Sequence, residues 1–164
     1  MHIESVVGQG TSVRVYLPRT MSEAEPASAP VACATAGDRG VPTVLLVDDD
    51  AAVRSTTAMI LQTMGYTVLE SDTGRAALDL LAADPTIGLL LTDIAMPGMN
   101  GAELARHARA VRAGLPIVFL SGYTDPDAVA GDAIVQRIVR KPFRANELAA
   151  QIEAALAEAG PAAA

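Results

Sequence analysis

The hydrophobic pattern divides the chain into three stretches of different texture. Over residues 1–19, apolar and polar positions alternate around glycines: His2-Ile3-Glu4-Ser5-Val6-Val7, then Gly8-Gln9-Gly10-Thr11, then Ser12-Val13-Arg14-Val15-Tyr16-Leu17-Pro18. Period-two alternation on both sides of a Gly-rich turn predicts one β-hairpin, a unit too small to be stable by itself. Over 20–41 large apolar side chains nearly vanish, and Ala, Pro, Ser, Gly and acid without helical period read as a flexible linker. Beyond it, short apolar runs alternate with helical periods. Thr43–Val47 is a β-branched and leucine run, as expected of a strand buried on both faces. Val53, Thr57, Ile60, Leu61 and Met64 then share one helical face, and Gly65 is placed to end that helix. The same reasoning predicts strands over 66–70, 89–92, 116–120 and 137–140, and helices through 76–81, 101–112 and 146–158. Asp72 or Thr73 can cap the second helix. Between 123 and 136 the period is weak, which predicts a short or irregular helix.

Five strands alternating with helices imply an α/β fold, a doubly wound five-stranded parallel sheet with helices on both faces. Sheets of this kind bind ligands at the carboxyl ends of their strands. At those ends the sequence places Asp48, Asp49 and Asp50 after the first strand, Asp93 after the third, Ser121 after the fourth and Lys141 after the fifth.

Composition narrows what such a sheet can do. At 164 residues there is room for one ordinary domain, and 51% hydrophobic against 19% charged residues is enough to build its core. A net charge of -7 without any Lys/Arg run argues against direct contact with nucleic acid, and 3% aromatic residues with no Trp argue against base stacking. A single cysteine, Cys33, excludes an internal disulfide and a cysteine zinc cluster. The longest apolar run, over 87–91, is far short of a membrane span, and the N-terminus lacks the apolar core of a signal peptide, so a cytoplasmic protein is expected.

An Asp after a strand commonly caps the next helix, and Asp50 fits that role. Asp48 and Asp49 lie too early to be that cap. With Asp93 they gather three carboxylates at one sheet end, repelling by about 3 kcal/mol per pair at ~5 Å and an effective dielectric of ~20. A hard divalent cation, Mg2+ first, is the natural neutraliser. Lys141 is the single lysine among twelve basic residues, which suggests a place where a planar guanidinium does not serve and a compact ammonium suits a phosphoryl oxygen. Ser121, beside Gly122, adds a hydroxyl donor with open access.

Four segments, in order, resemble the receiver domain of two-component response regulators: Val44-Leu45-Leu46-Val47-Asp48-Asp49-Asp50, Leu90-Leu91-Thr92-Asp93-Ile94-Ala95-Met96-Pro97-Gly98-Met99-Asn100-Gly101, Phe119-Leu120-Ser121-Gly122-Tyr123 and Arg140-Lys141-Pro142-Phe143. The resemblance covers 42–158, leaves 159–164 as a disordered tail, and implies the flavodoxin-like strand order 2-1-3-4-5. It implies that Asp93 accepts a phosphoryl group from a phosphohistidine of a histidine kinase or histidine phosphotransfer protein. It further implies that Asp48, Asp49, Asp93 and the Ala95 carbonyl hold Mg2+, and that Ser121 and Lys141 contact the phosphoryl oxygens. Such a domain is a phosphoacceptor and not an enzyme, expected as a monomer. Three residues before Lys141, where many receivers carry an aromatic switch residue, this chain has Ile138, which puts the coupling of Ser121 to an aromatic in question.

The segment 1–19 is similar to the closing hairpin of a histidine kinase ATPase domain, on Ile3-Glu4-Ser5, Gly8-x-Gly10-Thr11 and Val13-Arg14-Val15-Tyr16-Leu17-Pro18. That resemblance implies the C-terminal receiver of a hybrid histidine kinase, with the kinase core absent from this sequence. Neither His2 nor His107 stands in a phosphoacceptor-like His-Glu context, and the Ala-rich end is not expected to carry an output domain. Two other functions are weighed. A Mg2+-dependent aspartyl-phosphate phosphohydrolase wants a second Asp two residues after the nucleophile, where this chain has Ala95. A degenerate receiver acting only as a binding module is disfavoured because every acidic and basic site position is filled.

Overall fold

The computed structural model describes residues 2–6, 10–14, 16, 42–122 and 137–159. The chain divides into two units, Met1–Val31 and Ala32–Ala164. In the first, β1 (His2–Val6) pairs antiparallel with β2 (Gly10–Arg14) in a register that sets His2 opposite Arg14 and Val6 opposite Gly10. The second strand begins earlier than the sequence pattern suggests, because Gly10 takes a φ of +100° that turns the chain straight into the pair. The expected linker over 20–41 and the weak helix over 123–136 lie outside the described residues, as does the tail beyond 159.

The second unit contains a five-stranded parallel sheet. Its elements are β3 (Thr43–Val47), α1 (Ala51–Thr63), β4 (Val68–Ser71), α2 (Gly74–Ala83), β5 (Ile87–Asp93), α3 (Gly101–Val111), β6 (Ile117–Ser121), β7 (Ile138–Arg140) and α4 (Ala145–Glu158). The order β4-β3-β5-β6-β7 is 2-1-3-4-5 counted within the sheet. Every residue of β3 and β6 is buried, as a run of unbroken apolar residues requires when helices cover both faces.

Alternate side chains of those strands serve opposite cores. Val44, Leu46, Leu89 and Leu91 pack with Leu61 of α1 and Ile152 of α4 on one face. Leu45, Val47, Leu90 and Phe119 pack with Leu81 of α2 and Leu104 of α3 on the other. A single change of register in any of these strands would exchange the two cores, so the strand ends are held in one alignment.

Element ends follow local chemistry. Asp50 caps α1 by accepting from the Ala52 and Val53 amides at 2.8 and 3.1 Å, and these two donors hold its carboxyl below the ordinary 3.8. At the other end, Gly65 with φ +89° donates to Gln62 and Tyr66 donates to Leu61, the paired bonds of a Schellman motif. That use of the Tyr66 amide delays the next strand to Val68, two residues later than its apolar pattern suggests. Thr73 caps α2, and Asn100 with Glu103 forms a capping box on α3. β5 starts earlier than expected, at Ile87, with a register shift where Thr43 pairs Ile87 and Val44 pairs Leu89. Gly88 is the extra residue, and a Cβ there would lie 2.5 Å from the Pro42 Cβ.

Away from the carboxyl ends, Arg112 ties three elements together. Its guanidinium donates to the carbonyls of Leu81 and Asp84 at 3.0 and 3.1 Å and to that of Ile87, joining the end of α2 to the start of β5. Carbonyls in the last turn of a helix have no partner within it, so this side chain supplies one. Arg112→Met keeps the apolar stem and removes the donors, and should lower stability by about 2 kcal/mol in urea denaturation. A wild-type midpoint would mean that solvent serves those carbonyls equally well.

Candidate functional site

The strand order brings β3, β5 and β7 residues to one sheet edge, although they are far apart in the chain. Asp48 directly follows β3; its amide continues the ladder by donating to the Ser71 carbonyl at 3.2 Å. Asp93 closes β5, and the next amide, Ile94, donates to Leu120 at 3.0 Å. The Asp93 carbonyl accepts from the Thr92 hydroxyl at 3.0 Å. Gly101 lies against that same carbonyl: a Cβ there would sit 2.2 Å from the oxygen, so only glycine lets α3 begin beside Asp93. Lys141 follows β7, and its amide donates to the Ser121 carbonyl at 2.7 Å.

Those backbone placements converge three side chains. The Lys141 ammonium donates to Asp48 Oδ2 at 2.7 Å and to Asp93 Oδ1 at 2.6 Å. The second oxygen of each carboxylate takes a backbone amide: Asp50 donates to Asp48 Oδ1, and Ala95 donates to Asp93 Oδ2, both at 3.0 Å. Asp48 is 1% exposed and Asp93 6%, so their charges lie in a low-dielectric environment where an unpaired carboxylate would be costly. Burial pushes the lysine toward its neutral form, but the hydrogen bonds and charges of Asp48 and Asp93 outweigh it and hold its pKa above the ordinary 10.5.

The other expected site residues stand differently. Asp49 is exposed, and among the described residues no three His, Cys, Asp or Glu side chains converge closely enough to hold a metal ion. The expected grouping of three carboxylates is a pair, Asp48 and Asp93, bridged by ammonium, with Asp49 at the same strand end facing outward. The donor chemistry still fits a hard divalent cation, since Asp48, Asp49, Asp93 and the Ala95 carbonyl offer only oxygen and two of them already meet on one cation. Ser121 is buried, with its hydroxyl donating to the Gly122 carbonyl at 3.1 Å and not to the carboxylates. Ile138 is 43% exposed on β7.

One residue at this edge escaped the sequence reading. Arg54, in the first turn of α1, donates from Nη1 to the Asp48 carbonyl at 2.6 Å while its Nε lies 3.6 Å from Glu70 Oε2. The only signal in the sequence is an arginine four residues after the capping Asp50, which is equally ordinary on any helix.

Comparison with known proteins decides what this edge belongs to. The model of the response regulator receiver domain matches residues 44–153. The chain belongs to the response regulator receiver family. This receiver is 38% identical over 115 residues to the response regulator receiver protein CpdR of Brucella abortus, covering 67% of this chain and 92% of that protein. It is also 34% identical over 163 residues to the sensor kinase CckA of Brucella abortus, a match over 93% of this chain that spans only 17% of the kinase. Among solved structures, a response regulator receiver protein from Pseudomonas putida superposes with a TM-score of 0.64 at 32% identity, covering 71% of this chain and 98% of that one. The receiver domain from the hybrid histidine kinase CckA does so with a TM-score of 0.58, also at 32% identity, covering 70% and 98%.

The bridging ammonium of this receiver has a measurable weight. Lys141→Met leaves two buried carboxylates without their cation and should cost about 3 kcal/mol at neutral pH in chemical denaturation. Because the folded-state pKa of Lys141 is raised, its contribution is present in full below the unfolded value near 10.5 and is lost as pH climbs through the higher folded value. The gap between wild type and variant should therefore stay level from pH 7 to 10 and narrow above that range. A gap that narrows already near neutral pH would refute the pairing.

Proposed function

We propose that this receiver takes a phosphoryl group onto Asp93 from a phosphohistidine of a histidine kinase or histidine phosphotransfer protein. The observation that carries the reading is the Lys141 ammonium held between Asp93 and Asp48 at 2.6 and 2.7 Å. It pairs a buried carboxylate with a compact cation and places that cation where, in this reading, phosphoryl oxygens arrive.

In this reading an Asp93 oxygen attacks phosphorus in line, the P–N bond to the donor imidazole breaks, and its electron pair stays on the ring nitrogen. The product is an acyl phosphate. Lys141 passes from the Asp93 carboxylate to a phosphoryl oxygen, with Asp48 keeping the ammonium at the sheet edge. The Ser121 hydroxyl leaves the Gly122 carbonyl for another phosphoryl oxygen, a local move that biases the surface around β6 and β7. Mg2+, when held by Asp48, Asp49, Asp93 and the Ala95 carbonyl, neutralises charge on the transferring group. At Ala95, two residues after Asp93, a methyl group offers no acid or base for turnover, which favours a stable acceptor over a phosphohydrolase.

The wider setting we infer is the C-terminal receiver of a hybrid histidine kinase, cytoplasmic, monomeric and without direct contact to nucleic acid. The match to a sensor kinase supports it, because 93% of this chain reaches well beyond the receiver at 44–153. On this reading residues 1–19 are the last hairpin of the kinase ATPase domain, joined through 20–41 to the receiver at 42–158. No helix among the described residues is long and apolar enough to cross a membrane.

Intact-mass measurement after incubation with Mg2+ and a small acyl-phosphate donor should show one added phosphoryl group on the wild-type chain and none on Asp93→Asn, which keeps the volume and removes the nucleophile. A mass shift that persists in the variant would move the acceptor elsewhere. Deleting 1–40 should leave both the mass shift and the denaturation midpoint unchanged. A loss of either would mean that the hairpin is part of the receiver.

A further inference from the structure

All four polar groups of Asp48 have named partners. The amide donates to Ser71, Oδ1 accepts from the Asp50 amide, Oδ2 accepts from Lys141, and the carbonyl accepts from Arg54. The first is a sheet bond, the second belongs to the turn itself, and the third involves a group that moves with the phosphoryl transfer. Only the carbonyl bond comes from a side chain with no place among the reacting groups. The Arg54 amide donates to the Asp50 carbonyl at 2.9 Å, the first backbone bond of α1, which the side-chain variants below leave in place.

The guanidinium reaches its carbonyl along a fixed path. Its side chain is 18% exposed, and Glu70 on the neighbouring strand β4 stands at the other side of the fork, 3.6 Å from Nε. Glu70 pairs in register with Leu46, two residues before Asp48, so the anchor is tied to the same ladder that delivers the acidic turn. Arg54 thus joins β4 to the turn between β3 and α1. Asp49 is exposed, so nothing packs its side chain into place and its position follows from the backbone on either side.

We propose that Arg54 is a positioning residue that sets the Asp48–Asp49–Asp50 turn and through it the affinity of the site for a divalent cation. The inference rests on the metal role given to Asp48 and Asp49 above. The planar fork suits the task, because one edge meets a carbonyl while another meets a carboxylate, which a lysine's single point of charge cannot do together. Groups that orient metal ligands from behind change metal affinity by 10- to 100-fold when removed.

The test is Mn2+ binding followed by electron paramagnetic resonance on the full chain, wild type beside Arg54→Met, Arg54→Lys and Glu70→Gln, with urea midpoints measured without metal. Arg54→Met should bind Mn2+ about tenfold more weakly. Arg54→Lys should recover part of the loss, and Glu70→Gln should show a smaller loss than Arg54→Met. The loss should appear in protein that is fully folded before metal is added. Wild-type affinity in Arg54→Met overturns the inference, and so does an affinity loss that merely tracks a loss of folded protein. A wild-type chain that fails to bind Mn2+ overturns the metal reading and this inference with it.

Discussion

An ammonium between two buried carboxylates is the interaction on which the working edge of this receiver depends. Asp48 and Asp93 are charges that burial alone would expel, and Lys141 is a charge that burial alone would neutralise. Each makes the others tolerable, so the three are held as a set. An ion group of this kind is weak evidence of net stability, because desolvation offsets much of its attraction. Its value lies in specificity: removing one member leaves the rest uncompensated, and in the proposed phosphoacceptor role an incoming phosphoryl group finds a cation already in place.

Bringing that set together is the work of the sheet. Asp48, Asp93 and Lys141 each follow or end a parallel strand, and the register sets Asp48 level with Asp93 and Lys141 two residues beyond the position level with them. The Asp48 amide bonded to Ser71, the Ile94 amide bonded to Leu120 and the Lys141 amide bonded to Ser121 extend the pairings of β3 with β4, β5 with β6 and β6 with β7. The two apolar cores enforce this register, since slipping β3 by one residue would send Val44 and Leu46 to the face that Leu45 and Val47 occupy. Packing far from the chemistry therefore sets the distances within it.

Much of this was legible in the sequence because strand ends carry their own marks. The five apolar runs, the cap at Asp50, the stop at Gly65 and the polar residues at four carboxyl ends all rest on local rules that the structure obeys. The differences lie in bonds and contacts that the apolar pattern does not carry. Nothing in the run over 66–70 shows that the Tyr66 amide is taken by Leu61, or that Gly88 makes room for Pro42. The spacing predicts three carboxylates gathered at one sheet end; the structure sets Lys141 between two of them and leaves Asp49 exposed. Spacing tells which residues reach an edge, but not which of them meet there.

The distribution of basic residues follows from the same geometry. Eleven of the twelve are arginine, and two of those that are more than half buried bind backbone carbonyls at element ends: Arg54 the turn after β3, Arg112 the end of α2 and the start of β5. Carbonyls at such ends are spread over several positions, and a flat fork with five donors reaches them together. Asp48 and Asp93 present the opposite problem, two oxygens converging on one point from adjacent strands. A guanidinium there would have to split its edges between them and, in the proposed function, would fill the space that a phosphoryl group needs. A tetrahedral ammonium satisfies both oxygens and keeps a third proton to donate. The one lysine of the chain stands where convergence, rather than spread, is the demand.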